Sequence, residues 1–91
     1  MSSSDYRVQF AATDGVAYLQ HPRYHRQVWV RCCLTSDCRC AATGRRLRAG
    51  ATAYKPVTNQ RNRAARIAAA FVEQGLRVAA RKGVVSPCTT L

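Results

Sequence analysis

The sequence predicts a small α+β domain with a mostly antiparallel sheet, one main helix and a knuckle-like cysteine loop before a β-hairpin. Three observations lead to this fold class. Short runs alternate apolar and polar residues, as half-buried strands do. One longer run carries apolar residues at helical spacing. Four of the five cysteines lie between Cys32 and Cys40, in a stretch without either pattern.

Three strands are predicted before the cysteine loop. The first lies around residues 6–10, where apolar and polar side chains alternate. Asp14-Gly15 then predicts a hairpin turn, since glycine accepts the positive φ that such turns require. The returning strand is predicted at 16–20, and the third strand at 26–32.

The third predicted strand has two unlike faces. Val28, Val30 and Cys32 share one face, and Trp29 lies on the other face near arginines. The valine face is predicted to form the core. Trp29 is therefore expected to be exposed, where a nucleic-acid base could stack on its ring.

A second hairpin is predicted after the cysteine loop. Its strands are 45–48 and 51–55, with the turn at Ala49-Gly50, and Pro56 ends the second strand.

The main helix is predicted from about 60 to 74, with Gly75 as its C-terminal stop. A strand at 76–80 and a short strand at 84–85 are expected to follow. The stripe that the helix would bury consists of Ala64, Ile67, Ala68, Phe71 and Val72.

The length of 91 residues predicts one domain, with flexible segments at 1–5 and 87–91. Val, Leu, Ile and Phe together make 17 of the 91 residues, which predicts a thin core that metal, a partner or self-association would help to stabilise. The sequence shows neither a membrane-spanning run nor a signal peptide at its start. A cytoplasmic location is expected, where cysteines stay reduced.

The cysteine loop favours one structural zinc ion. Zinc takes four ligands in a tetrahedron, and the short spacings within the loop can present several thiolates to one ion. A fourth thiolate would come from the C-terminal tail. Reduced structural thiols and a disulfide remain open alternatives. The predicted zinc ligands are Cys33, Cys38, Cys40 and Cys88.

The segment that begins at Cys40 carries the pattern Cys-x-x-Thr-Gly-x-x-Leu-x-x-Gly-x-x-x-Tyr-Lys-Pro. It resembles a segment in a family of small proteobacterial proteins of uncharacterised function, over about 17 of the 91 residues. It departs from that pattern at Arg46, where the family has proline, and at Ala51, where it has an acid. The resemblance implies a knuckle followed by a hairpin, as in half of a treble clef, with Thr43-Gly44 in place of a second cysteine. It implies no activity.

The charge predicts an anionic partner. The chain has a formal net charge of +11, with thirteen arginines, two lysines and only four acidic residues. Arginine grips phosphate or carboxylate with a planar fork, which suits nucleic acid. The main alternative is a solvated basic face. The predicted nucleic-acid-binding residues are Arg45, Arg46, Arg48, Lys55, Arg61, Arg63, Arg66 and Trp29.

The predicted function is a non-enzymatic nucleic-acid-binding protein that contacts phosphates through an arginine-rich hairpin and the helix N-terminus. The chain shows no glycine-rich phosphate loop, paired carboxylates or nucleophile elbow. The alternative is a phage or mobile-element protein that binds and inhibits a host protein, with its arginines against an acidic surface of that host protein. DNA, RNA and homodimerisation all remain open, and no membrane partner is expected.

Overall fold

The computed structural model describes residues 5–58 and 60–81 and confirms the α+β fold class. Within these residues, five strands form one antiparallel sheet in the order β1-β2-β3-β6-β7, and β4 and β5 form a separate two-stranded sheet. In chain order the elements are β1 (Arg7–Thr13), β2 (Val16–His21), β3 (His25–Cys33), β4 (Cys38–Arg39), β5 (Arg46–Leu47), β6 (Thr52–Pro56), a 3-10 helix (Gln60–Asn62), β7 (Ile67–Ala68) and helix α1 (Ala69–Arg81).

The first three predicted strands are confirmed. β1 and β2 form a hairpin that closes at the pair Thr13–Val16, and Gly15 in its turn has a φ of 81°. Asp14 also accepts a hydrogen bond at 2.8 Å from the guanidinium of Arg31, which lies on β3. The turn residues therefore fix both the hairpin and its contact with the next strand.

The prediction that the valine face of β3 forms the core is wrong. Trp29 is fully buried and Gln27 is 1% exposed, whereas Val28 and Val30 are only half-buried. Helix α1 packs on the tryptophan face of the sheet, so this face is the one removed from water. Burying an indole removes more apolar surface than burying a valine.

The predicted hairpin between 45–48 and 51–55 is also wrong. A turn does form at Ala49-Gly50, where Gly50 has a φ of 92°. β5 pairs with β4, however, and β6 pairs with β3 and β7 in the main sheet. In this position the β6 residue Tyr54 is buried and contributes to the core.

The helix begins later than predicted. Ile67 and Ala68 form β7 by pairing with Tyr54 and Ala53, and α1 starts only at Ala69. Ile67 is fully buried, and its β-branched side chain suits a strand. The predicted strand at 76–80 is part of α1, and the one predicted at 84–85 lies outside the described residues.

Gly75 lies inside α1 and is not its C-terminal stop. A Cβ atom at this position would lie 2.6 Å from both Cβ and Cγ2 of Val8 on β1. Glycine therefore allows the helix to approach the sheet more closely than any other residue would.

The core lies between α1 and the sheet and extends to the Cys40 turn. The buried residues that form it are Ala17, Leu19, Trp29, Cys40, Tyr54, Ile67 and Val72. Within the described part of the chain, no helix is long and apolar enough to cross a membrane.

Candidate site: a basic surface at the Cys40 turn

Residues 40–44 form a tight turn that joins β4 to β5. The Gly44 amide donates to the Cys40 carbonyl at 2.8 Å, and Gly44 has a φ of 79°. The Cys40 amide in turn donates to the Arg45 carbonyl at 2.8 Å. The positive φ explains why glycine follows Thr43, because other residues adopt this backbone conformation at a cost.

The Cys40 side chain anchors this turn in the core. It is 2% exposed, and its Sγ accepts a hydrogen bond from the Ala68 amide at 3.3 Å. Burial raises the pKa of the Cys40 thiol, but hydrogen bonds from Thr43 and from the amides of Ala68, Thr43 and Ala42 outweigh burial and hold that pKa below its ordinary value. The thiol thus acts as a buried acceptor around which the backbone turns.

The turn also binds the segment that precedes β7. The Ala41 amide donates to the Arg66 carbonyl at 2.7 Å, and Cys40 and Arg66 form a parallel bridge. Arg45 and Arg66 are therefore hydrogen-bonded to two consecutive residues of the same turn. The predicted arginine groups at 45–48 and 61–66 therefore meet at this turn. They do so without the hairpin and the helix that were predicted to carry them.

Two arginines face each other across the small sheet. Arg39 on β4 is directly opposite Arg46 on β5, and both side chains are exposed. Like charges at directly opposite positions destabilise a strand pair by up to about 1 kcal/mol. The Arg39 guanidinium donates to the Gly44 carbonyl at 3.0 Å, which holds the Arg39 side chain in place.

Arg39 is not among the predicted binding residues. The available signal was its position between Cys38 and Cys40, inside the loop assigned to metal binding. We use the term basic knuckle for the surface formed by Arg39, Arg45, Arg46, Arg48, Arg63 and Arg66. None of these six side chains forms a salt bridge with an acidic residue among residues 5–58 and 60–81.

The 61–66 arginines do not lie at a helix N-terminus, which corrects the predicted phosphate site there. Arg61 belongs to the short 3-10 helix, and Arg63 lies in the turn that follows. Arg66 is half-buried, and its Nη1 donates to the carbonyls of Arg63 and Ala65 at 2.8 and 2.9 Å. Nη1 of Arg66 therefore stabilises the backbone of residues 63–65, and only the other guanidinium nitrogens of Arg66 are left to contact a ligand.

A polar network holds this segment against the sheet. The buried Gln27 donates to Asn62 at 2.8 Å, and Asn62 donates to Gln27 at 3.1 Å and to the Tyr6 hydroxyl at 3.1 Å. Asn62 thus connects the arginine segment to β3 and to the residue before β1. Because Gln27 is buried, its amide needs these partners to avoid the cost of an unpaired polar group.

Two other predicted binding residues lie elsewhere. Lys55 is exposed on β6 opposite Val30, so it belongs to the main sheet and not to the basic knuckle. Trp29 is fully buried in the core and cannot stack on a base. The expectation that its ring is exposed is therefore wrong.

The described cysteines do not assemble into a ligand cluster. Cys33 is exposed, Cys38 is half-buried, Cys40 is buried, and all three are free thiols. Among residues 5–58 and 60–81, no three His, Cys, Asp or Glu side chains lie close enough together to hold a metal ion. Cys88 lies outside the described residues, and the structural zinc stays a prediction.

We expect the thiols to react in the order of their exposure. With a thiol-exchange reagent at pH 8, the exposed Cys33 should be the first of the four described cysteines to be modified and Cys40 the last, despite the lowered pKa of Cys40, because a thiolate must be accessible to attack. Mass mapping of modified peptides over time measures the order. Fast modification of Cys40 in the folded protein would contradict its burial.

Native mass spectrometry before and after acidification tests the zinc prediction, which requires a mass excess of one zinc ion that acid removes.

The basic knuckle is suited to binding an anion. Guanidinium groups on two neighbouring strands and on the adjoining 63–66 turn can donate to several oxygens of a phosphate chain at once. The hydrogen bonds of the Cys40 turn fix the backbone positions of Arg45 and Arg66 relative to each other. No protein-family model, curated protein or solved structure matches this chain.

Proposed function

We propose that this chain is a small, non-enzymatic nucleic-acid-binding protein that contacts phosphates through the basic knuckle. The observation that supports the proposal most is the opposed pair Arg39 and Arg46, placed beside Arg45 and Arg66 by the hydrogen bonds of the Cys40 turn. Among the described residues, no acid neutralises this cluster.

The energetics favour an extended polyanion over a single small anion. Repulsion between opposed arginines is relieved when phosphates lie between them. Phosphate contacts also release counterions from the nucleic acid, which makes binding strong at low salt and largely independent of sequence. Asp37, the nearest acid in sequence, accepts a hydrogen bond from the Ala49 amide at 2.9 Å and so fixes the neighbouring turn.

Neutralising the opposed pair should weaken binding and reduce its salt dependence. The double variant Arg39→Gln/Arg46→Gln removes two phosphate contacts, so the slope of log affinity against log salt should fall by roughly 1.4–1.8. Fluorescence anisotropy with labelled oligonucleotides of mixed sequence, as both DNA and RNA, measures affinity over a salt series.

The matched control is Arg23→Gln/Arg77→Gln, which removes the same charge from exposed positions outside the basic knuckle. Arg23 lies in the β2–β3 turn, at the opposite end of β3 from the cysteine loop, and Arg77 lies on α1. Equal losses in both double variants would mean that overall charge, and not this surface, binds the nucleic acid. Absence of binding by the unmodified protein, together with one stoichiometric protein partner that resists nuclease, would favour the host-inhibitor alternative.

A further inference from the structure

The main sheet has a second face, opposite the one that α1 covers. Residues paired across neighbouring strands point to the same side of a sheet. Val8 and Leu19 lie on the face against α1, whereas Phe10, Tyr18 and Val28 form a row on the other face. The irregular pairing between Val8 and Phe10 places Phe10 in this row.

Phe10 and Tyr18 form a stacked pair on this second face. Their ring centroids are 4.6 Å apart with an interplanar angle of 19°, and the Phe10 side chain is 42% exposed. Val28, on the far side of Tyr18, is half-buried. Phe10 thus places an apolar ring at the surface of a sheet, where it loses favourable burial unless a ligand covers it.

Cations border the aromatic pair. The Arg26 guanidinium carbon lies 5.7 Å from the Phe10 ring centroid and 6.0 Å from that of Tyr18. Gln9 holds this guanidinium by accepting a hydrogen bond from its Nε at 3.1 Å. The next row consists of Arg7, Gln20 and Arg26, and Lys55 follows on the same face opposite Val30.

We propose that this face, which we call the stacking platform, binds the bases of a single-stranded nucleic acid, with one base on Phe10 and its phosphates near Arg7, Arg26 and Lys55. The inference rests on the proposed function and specifies its substrate class. Bases in a duplex are stacked on one another and cannot lie flat on a protein ring, whereas single strands offer their bases freely.

The charges on the platform favour this occupant over a second copy of the chain. A symmetric dimer through the platform would bring Arg7 and Arg26 of two copies together, and like charges at an interface are costly. Cross-strand pairing places none of the acidic residues on this face among the described strands. Aromatic rings beside cations match a ligand that combines flat rings with negative charge.

An open groove of about 770 Å³ continues the platform at the β1 edge. Phe10 and Arg26 line one side, and Phe71 and Val78 of α1 line the other. A strand lying across Phe10 can therefore place a neighbouring nucleotide in the groove without leaving the protein surface.

The variants Phe10→Leu and Phe10→Tyr test the platform. Leucine keeps an apolar side chain but loses the ring, so affinity for a single-stranded oligonucleotide should fall roughly five- to 150-fold. Tyrosine keeps the ring and should retain the affinity. The salt slope should not change in either variant, because neither removes a phosphate contact. Phe10→Tyr is therefore the matched control for Phe10→Leu, because both variants substitute the same exposed position.

The outcomes separate this inference from the proposed function. If the unmodified protein binds with a salt slope that falls in Arg39→Gln/Arg46→Gln, but Phe10→Leu binds unchanged, the platform is overturned and the proposed function stands. Equal affinity for matched single strands and duplexes would also overturn the platform. If no nucleic acid binds, both fail. A preference for single strands that Phe10→Leu removes and Phe10→Tyr keeps would support the platform.

Discussion

Replacing Trp29 by alanine is expected to lower the free energy of unfolding by about 3–5 kcal/mol. The indole is fully buried at the centre of the core and meets the Tyr6 ring edge-on, with centroids 5.4 Å apart. Alanine would leave a large cavity in the core. Because domains of this size are stable by only about 5–15 kcal/mol, the variant should be close to unfolding at room temperature.

Urea denaturation followed by far-UV circular dichroism measures this loss, since the variant lacks a tryptophan signal. Trp29→Phe is the matched control and should cost less. Phenylalanine keeps a ring in the core, and it removes an indole N–H that is buried without a hydrogen-bond partner in the described part of the chain. If Trp29→Ala changed stability by less than about 0.5 kcal/mol, as surface substitutions do, the indole would not be in the core.

The case of Trp29 shows what a strand pattern can and cannot predict. Alternation of residues identifies β3 and assigns its side chains to two faces, and both results agree with the structure. Which face is buried depends on α1, a helix some 40 residues later in the chain. Gln27 on the same face as Trp29 is polar, but its amide is satisfied by Asn62, a contact that no local pattern reveals.

The helix boundaries failed for a similar reason. Ala64, Ile67, Ala68 and Phe71 have helical spacing, and the sequence alone does not show that β6 is available to pair with Ile67 and Ala68. A two-residue strand gains little locally, so only the tertiary contact decides its conformation. Gly75 was read as a stop signal because helix ends favour glycine, whereas here the contact with Val8 requires it.

Some of the predicted binding residues lie together in the structure, but the contacts that join them are not the predicted hairpin and helix N-terminus. The arginines at 45–48 and at 63–66 meet at the Cys40 turn. Cysteine spacing predicts a metal site in this loop, and that site stays a prediction. In the structure the Cys40 thiol accepts a hydrogen bond from the Ala68 amide, a contact that the spacing does not reveal. Regular alternation over residues 6–10 would place Phe10 on the same face as Val8, but the irregular pairing of β1 places it on the opposite face.

Replacing Gly75 by alanine is expected to destabilise the protein by roughly 1–3 kcal/mol, the usual cost of overpacking. The sign is the opposite of that at an open helix position, where alanine stabilises by about 1 kcal/mol relative to glycine. The new methyl group would lie 2.6 Å from Cβ and Cγ2 of Val8. Strand β1 or helix α1 must therefore move, and β1 also carries Phe10 of the stacking platform.

Urea denaturation of Gly75→Ala, with Gln74→Ala as the control at an exposed neighbouring position, separates the clash from helix propensity.

The double variant Gly75→Ala/Val8→Ala removes both Cγ atoms of Val8 from the clash and leaves its Cβ. The two substitutions should therefore couple by about 0.5–3 kcal/mol, with the double variant more stable than the sum of the single losses predicts. A Gly75→Ala protein as stable as the parent, or more stable, would mean that α1 does not approach β1 this closely. A displaced β1 should also weaken single-strand binding in Gly75→Ala, because β1 carries Arg7 and Phe10 of the stacking platform.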